Sequence, residues 1–170
     1  PMTSTLSSNL RFGWTTGTCA SAAVNASYMA LMTGKFPDRV TIVTPSGKNA
    51  DLEIAETRVG EGWAMAGVVK DAGDDPDVTH GAMICVTVRL GAPDSGMVFC
   101  RGAGVGIVTK PGLPIDVGEP AINPVPRQMM CAVIDTLASL LGGTRDVEIE
   151  ISVPDGDKIA LKTWNPRLGI

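Results

Sequence analysis

Two hydrophobic periodicities divide the chain. Over residues 18–33, Ala20, Ala23, Val24, Tyr28 and Leu31 recur at helical spacing, with Thr15, Thr16 and Thr18 as N-cap hydroxyls and Gly34 in the C-cap position. The period then drops to two. Residues 40–44, 52–59, 63–70, 82–90 and 96–101 form short runs, mostly rich in Val, Ile and Thr. Pro45-Ser46-Gly47, Gly60-Glu61-Gly62 and Pro93-Asp94-Ser95-Gly96 punctuate them, which predicts hairpins in a mainly antiparallel sheet. Residues 102–126 show no period and hold five prolines among several glycines. A second helix is predicted over 127–141, where Met130, Cys131, Ile134, Leu137 and Leu141 form an apolar stripe that Gly142-Gly143 ends. Strands are predicted at 147–153 and 158–164 around Pro154-Asp155-Gly156. The implied fold class is α+β: a mainly antiparallel sheet, two principal helices packed on it, and a long Gly/Pro-rich loop. A single domain over 11–170 is expected, after a Ser/Thr-rich tail, 1–10, that frays or derives from cloning.

Composition narrows the function classes. At 44% hydrophobic and 19% charged residues, the 170-residue chain is not of a disordered type. Aromatics make up only 4%, so Ala, Val, Ile, Leu and Met must build the core. A net charge of -4 argues against the broad basic surface of a general nucleic-acid binder and leaves room for a local basic pocket. Cys19, Cys85, Cys100 and Cys131 form no CxxC pair and His80 is the single histidine, so no metal site is expected. Their small or apolar neighbours fit buried free thiols in a reducing cytosol. No run approaches the roughly 18 apolar residues of a membrane span, and no signal peptide is visible. The expectation is a cytoplasmic protein with no membrane or nucleic-acid partner; homo-oligomerisation is left open.

Four segments could carry chemistry. Thr15-Thr16-Gly17-Thr18 opens the first helix, where unpaired N–H groups and the dipole favour an anion; simple capping explains the same residues. Asp71, Asp74, Asp75 and Asp77 crowd four carboxylates into one inter-strand connection before His80. Like charges so close can raise a carboxylate pKa and make a general base, or the segment is a solvated acidic turn. Arg101-Gly102-Ala103-Gly104-Val105-Gly106 is followed by Lys110. No G-K-[ST] follows, so the choice is a ligand-facing backbone or a glycine-bearing strand or bulge. Gly118-Glu119-Pro120-Ala121-Ile122-Asn123-Pro124-Val125-Pro126 is a stiff loop delivering Arg127 to a helix start. A cation opposes the dipole there, which points to a bound carboxylate or to simple solvent exposure.

Taken in order, these segments resemble the cobalt-precorrin-5B C1-methyltransferase family of anaerobic cobalamin biosynthesis. The resemblance rests on Leu10-Arg11 with Gly13 and the run 15–20, on Asp74-Asp75-Pro76-Asp77-Val78-Thr79, and on Gly104-Val105-Gly106 with Val108-Thr109-Lys110-Pro111-Gly112-Leu113. The run 118–127 and the closing Asn165-Pro166-Arg167-Leu168-Gly169-Ile170 complete it. Family members are longer, so this chain resembles their N-terminal half, and much of the S-adenosylmethionine site is expected in the second. The resemblance implies S-adenosylmethionine as methyl donor and a tetrapyrrole substrate, cobalt-precorrin-5B, converted to cobalt-precorrin-6A, with cobalt present only as part of the substrate. On that reading Asp74, Asp75 and Asp77 are the catalytic candidates. Thr15, Thr16, Gly17, Thr18, Gly104, Gly106, Lys110, Asn123 and Arg127 are the substrate-binding ones. Two other readings stay open: a non-catalytic corrinoid- or anion-binding module, and a small-molecule kinase built on residues 102–106.

Overall fold

The computed structural model describes residues 13–71, 81–109, 112 and 115–154. In chain order the elements are α1 (Thr16–Thr33), β1 (Arg39–Val43), β2 (Asn49–Glu53), β3 (Glu56–Gly60), β4 (Trp63–Val69), β5 (Met83–Leu90), β6 (Met97–Arg101), α2 (Pro124–Leu141) and β7 (Val147–Ser152). β1 and β2 form a two-stranded antiparallel hairpin, and the other five strands form one sheet in the order β3-β4-β5-β7-β6. All pairs are antiparallel except β6–β7. That pair is parallel because the chain between its strands returns through α2 rather than a tight turn. The fold is therefore α+β with a mainly antiparallel sheet.

The strands alternate as a sheet covered on one face requires. In β7, Val147, Ile149 and Ile151 are buried while Glu148, Glu150 and Ser152 are partly exposed. Their partners on β5, Val86 and Val88, complete the same apolar face. Helix α1 lies on β4 and β5 and is enclosed on its other sides by α2 and β1; α2 has α1 as its main partner. So enclosed, α1 buries residues all round, and two-thirds of it is Ala, Gly, Ser, Thr and Cys. Its buried hydroxyls are satisfied locally: Ser21 donates to the Gly17 carbonyl at 2.7 Å and Ser27 to that of Ala23 at 2.8 Å. The Ser27 hydroxyl also lies 2.7 Å from the Val86 carbonyl oxygen on β5, which draws helix and sheet together.

Several boundaries differ from those the sequence predicts. Residues 52–59, expected as one strand, divide into β2 and β3 in different sheets. The break is at Ile54-Ala55, where Ile54 N–H donates to Asp38 and Ala55 N–H to Gly67. Ile54 still packs on the core, so the alternation runs through the break and hides it. Helix α2 begins at Pro124 rather than at 127, because a first helical turn tolerates Pro, whose missing N–H would be unpaired there anyway. That takes the end of the expected long loop into the helix. The caps fall as expected on Gly34 (φ 81°) and Gly142 (φ 65°), both left-handed. The tail 1–10 and the strand expected at 158–164 lie outside the described residues.

Candidate functional site

The N-terminal ends of α1 and α2 converge on one cavity of about 580 Å3. Gly17 makes their approach feasible: a Cβ there would stand 3.2 Å from Pro126 Cγ and 3.4 Å from Met129 Sδ. Around the opening stand Trp14, Thr15, Thr16 and Gly17 at the start of α1, Asn123, Val125 and Pro126 at the start of α2, and Thr44, Pro45, Ser46 and Lys48 from the β1–β2 turn. Val105, Ile151 and Val153 add apolar wall. Lys48 is the charged residue of the lining, which contains no carboxylate among the described residues. Two positive dipole ends and an ammonium thus face a mostly apolar space, an environment for an anionic group on an apolar body.

The two helix ends are not equivalent donors. At α1, Thr15 Oγ1 accepts from Thr18 N–H at 3.1 Å and pairs with Thr18 Oγ1 at 3.1 Å, so Thr15 and Thr18 close the cap. A helix supplies no internal partner for the N–H groups of Thr16 and Gly17, and both residues line the cavity. At α2, Pro124 and Pro126 have no N–H, which leaves Val125 as the donor of the first turn. Asn123 occupies the N-cap position yet makes no capping hydrogen bond, and it too lines the cavity.

Arg127 is placed otherwise than as a cavity-lining cation. It is the fourth residue of α2, and its Nε donates to the Ile122 carbonyl and its Nη2 to that of Pro120, each at 2.8 Å. The guanidinium also sits over the Phe99 ring of β6, 5.1 Å from the centroid. These carbonyls explain a cation so near a helix N-terminus. Arg127 holds the segment that carries Ala121, Ile122 and Asn123 into the cavity wall.

Gly104 and Gly106 are not lining residues; they shape the loop that is. Gly104 is left-handed (φ 78°), Gly106 accepts from Ala121 N–H at 2.9 Å, and Val105 between them is buried in the cavity wall. An antiparallel bridge joins Ile107 to Pro120, so the glycines enter a folded-back loop rather than a strand–loop–helix phosphate cradle. This removes the structural basis of the kinase reading. Lys110, Asp74, Asp75, Asp77 and His80 lie outside the described residues. The residues that bracket the acidic segment are described: Gly81 N–H donates to Lys70 at 2.7 Å, and Trp14 N–H donates to Asp71 at 2.9 Å. The segment therefore departs from beside a residue of the cavity wall. Sequence reading missed the β1–β2 turn as a wall; Thr44, whose hydroxyl accepts from Lys48 N–H at 3.1 Å, carries no signal beyond that of a turn.

Comparison with known proteins decides the family. The family model for CbiD matches residues 3–170. The chain belongs to the CbiD family. A CbiD relative from Paramagnetospirillum magneticum, a cobalt-precorrin-5B C(1)-methyltransferase, is 59% identical over 161 residues, which cover 95% of this chain and 45% of the relative. One of the same name from a Bradyrhizobium strain is 58% identical over 95% of this chain and 43% of its own length. The crystal structure of a cobalamin biosynthesis protein (cbiD) from Archaeoglobus fulgidus superposes with a TM-score of 0.68 at 32% identity, over 95% of this chain and 50% of that one. The chain thus spans about half the length, or somewhat less, of the CbiD proteins it matches.

The four cysteines are free, with Cys19 and Cys85 buried and Cys100 and Cys131 partly so. Burial pushes the Cys19 thiol up to about 11 against the lowering effect of Lys70, and it raises the other three as well. A raised thiol pKa means less thiolate at a given pH; for Cys19 roughly one molecule in a thousand carries it at pH 8. Native protein exposed briefly to iodoacetamide at pH 8 is expected to keep Cys19 unmodified, while the unfolded chain is labelled at all four positions. Labelling of Cys19 ahead of Cys100 and Cys131 would contradict this. Among the described residues no cluster of His, Cys, Asp and Glu could hold a metal ion, and no helix is long and apolar enough to cross a membrane.

Proposed function

We propose that the chain is the N-terminal domain of a cytosolic, S-adenosylmethionine-dependent methyltransferase that converts cobalt-precorrin-5B to cobalt-precorrin-6A, and that its cavity grips the tetrapyrrole. The observation that carries the reading is the charge arrangement: two helix N-termini and Lys48 around an apolar space whose lining holds no carboxylate among the described residues, in a CbiD chain. Tetrapyrroles of this class carry acetate and propionate arms on an apolar ring, which is the ligand such a space fits. In the reaction the bond from the sulfonium to its methyl group breaks as the bond from methyl to ring carbon C1 forms. The sulfonium becomes a neutral thioether, and the positive charge passes to the macrocycle, which sheds it as a proton. Such a step needs alignment in a dry site more than covalent help, so gripping the substrate is itself catalytic work. Asp74, Asp75 and Asp77 are the proposed carboxylates that meet the donor or take the proton.

A non-catalytic corrinoid-binding module is the second reading, favoured by a cavity lining that offers binding groups and no carboxylate among the described residues. Calorimetry separates the two. This chain is expected to bind a carboxylate-bearing cobalt tetrapyrrole, while S-adenosylmethionine binding and turnover appear with the longer protein. Tetrapyrrole binding by the longer protein alone would place the grip elsewhere.

A further inference from the structure

A second cavity, of about 470 Å3, adjoins the first and shares Thr44, Pro45 and Met129 with it. It runs between the outer side of β1 and α2, with α1 as its floor through Asn25. Its walls are largely apolar: Val43 is 67% exposed on its rim, and Val133 flanks Met129 one turn along α2. The first cavity alone is of the size that serves a drug-sized ligand, about 300–1,000 Å3, and a four-ring macrocycle with its arms is larger than such a ligand.

We infer that the two cavities form one continuous groove and that the tetrapyrrole ring extends past Met129 into the second, laying an apolar face against Val43 and Val133 while its carboxylates stay in the first. This rests on the proposed substrate-binding function of the first cavity. Continuity between the cavities and the division of chemistry between them select this occupant: the second cavity's lining carries no charged residue among those described, and the first carries Lys48 and the helix ends. An exposed Val43 on the rim is the surface such a ring would cover.

The test uses the full-length protein and cobyrinic acid, a stable cobalt corrin with free carboxylates, followed by the corrin absorption spectrum. Val43→Trp is a neutral substitution at an exposed site and fills the second cavity. Thr16→Pro removes one N–H from the first cavity at a helix position that accepts proline, after a Thr15 whose φ of -72° and ψ of 162° suit a following proline. Both variants are expected to bind at least about tenfold more weakly, with melting temperatures near that of the parent. Weaker binding by Thr16→Pro alone would confine the ring to the first cavity and overturn the inference while leaving the functional reading intact. Normal binding by both would overturn the two together. A Val43→Trp variant that loses thermal stability and keeps its affinity would show that the remainder of the longer chain covers this face, which also overturns the inference.

Discussion

If the proposed function holds, replacing Asp74, Asp75 and Asp77 singly with Asn in the full-length protein is expected to cut single-turnover methyl transfer by about 100-fold or more in at least one variant. The melting temperatures should stay close to that of the parent, because surface-turn substitutions shift stability by only about 0.5 kcal/mol. The argument begins with composition: three carboxylates around Pro76 exceed what a turn needs, and proline fixes its own φ and biases Asp75 away from the helical region. It continues with position. The ends of the segment are tied down by Gly81 N–H to Lys70 and by Trp14 N–H to Asp71, and Trp14 lines the cavity. On the proposed function, one of these carboxylates faces a sulfonium or takes a ring proton. Relief of like-charge repulsion would, if anything, raise the melting temperature. Near-normal turnover in all three variants would return the segment to a solvated acidic turn.

What was legible in the sequence was set by local chemistry. Thr15 as N-cap and Gly34 and Gly142 as C-caps follow from hydroxyl capping and the left-handed preference of glycine, and no distant contact can override them cheaply. The alternation in β7 was legible because one face is covered and the other is not. The split between β2 and β3 was not, because Ile54 faces the core on both sides of a change in hydrogen-bond partner. The parallel β6–β7 pair depends on where a connection leads, which composition does not encode. For the site, the Thr15–Thr18 run was readable as a helix start, whereas the second helix start was expected at 127, past Asn123, and the meeting of the two helix ends at one cavity depends on Gly17 seating against Pro126, a contact far apart in sequence. Arg127 was conspicuous by its conflict with the helix dipole, and the carbonyls that resolve the conflict emerge only when the loop folds back.

That placement changes what Arg127→Ala should do. The substitution removes two hydrogen bonds from a charged donor, each of a kind that contributes about 1.5–3 kcal/mol, together with the stacking on Phe99. Much of that loss falls on the segment that holds Ile122 and Asn123 against the cavity, so corrinoid affinity in the full-length protein is expected to drop by about 10- to 100-fold. Lysine should rescue little, since one ammonium cannot reproduce the planar fork or its packing on the ring. Two readouts distinguish a residue that positions the wall from one that touches the substrate. If Arg127 positions, Phe99→Leu reproduces part of the loss, and the salt dependence of binding keeps the parent's slope, because no charge has been removed from the ligand's surroundings. If Arg127 instead pairs with a substrate carboxylate, Phe99→Leu binds normally and Arg127→Ala flattens the salt dependence. Parent-like affinity in Arg127→Ala would sink both roles and leave the residue a tie within the loop.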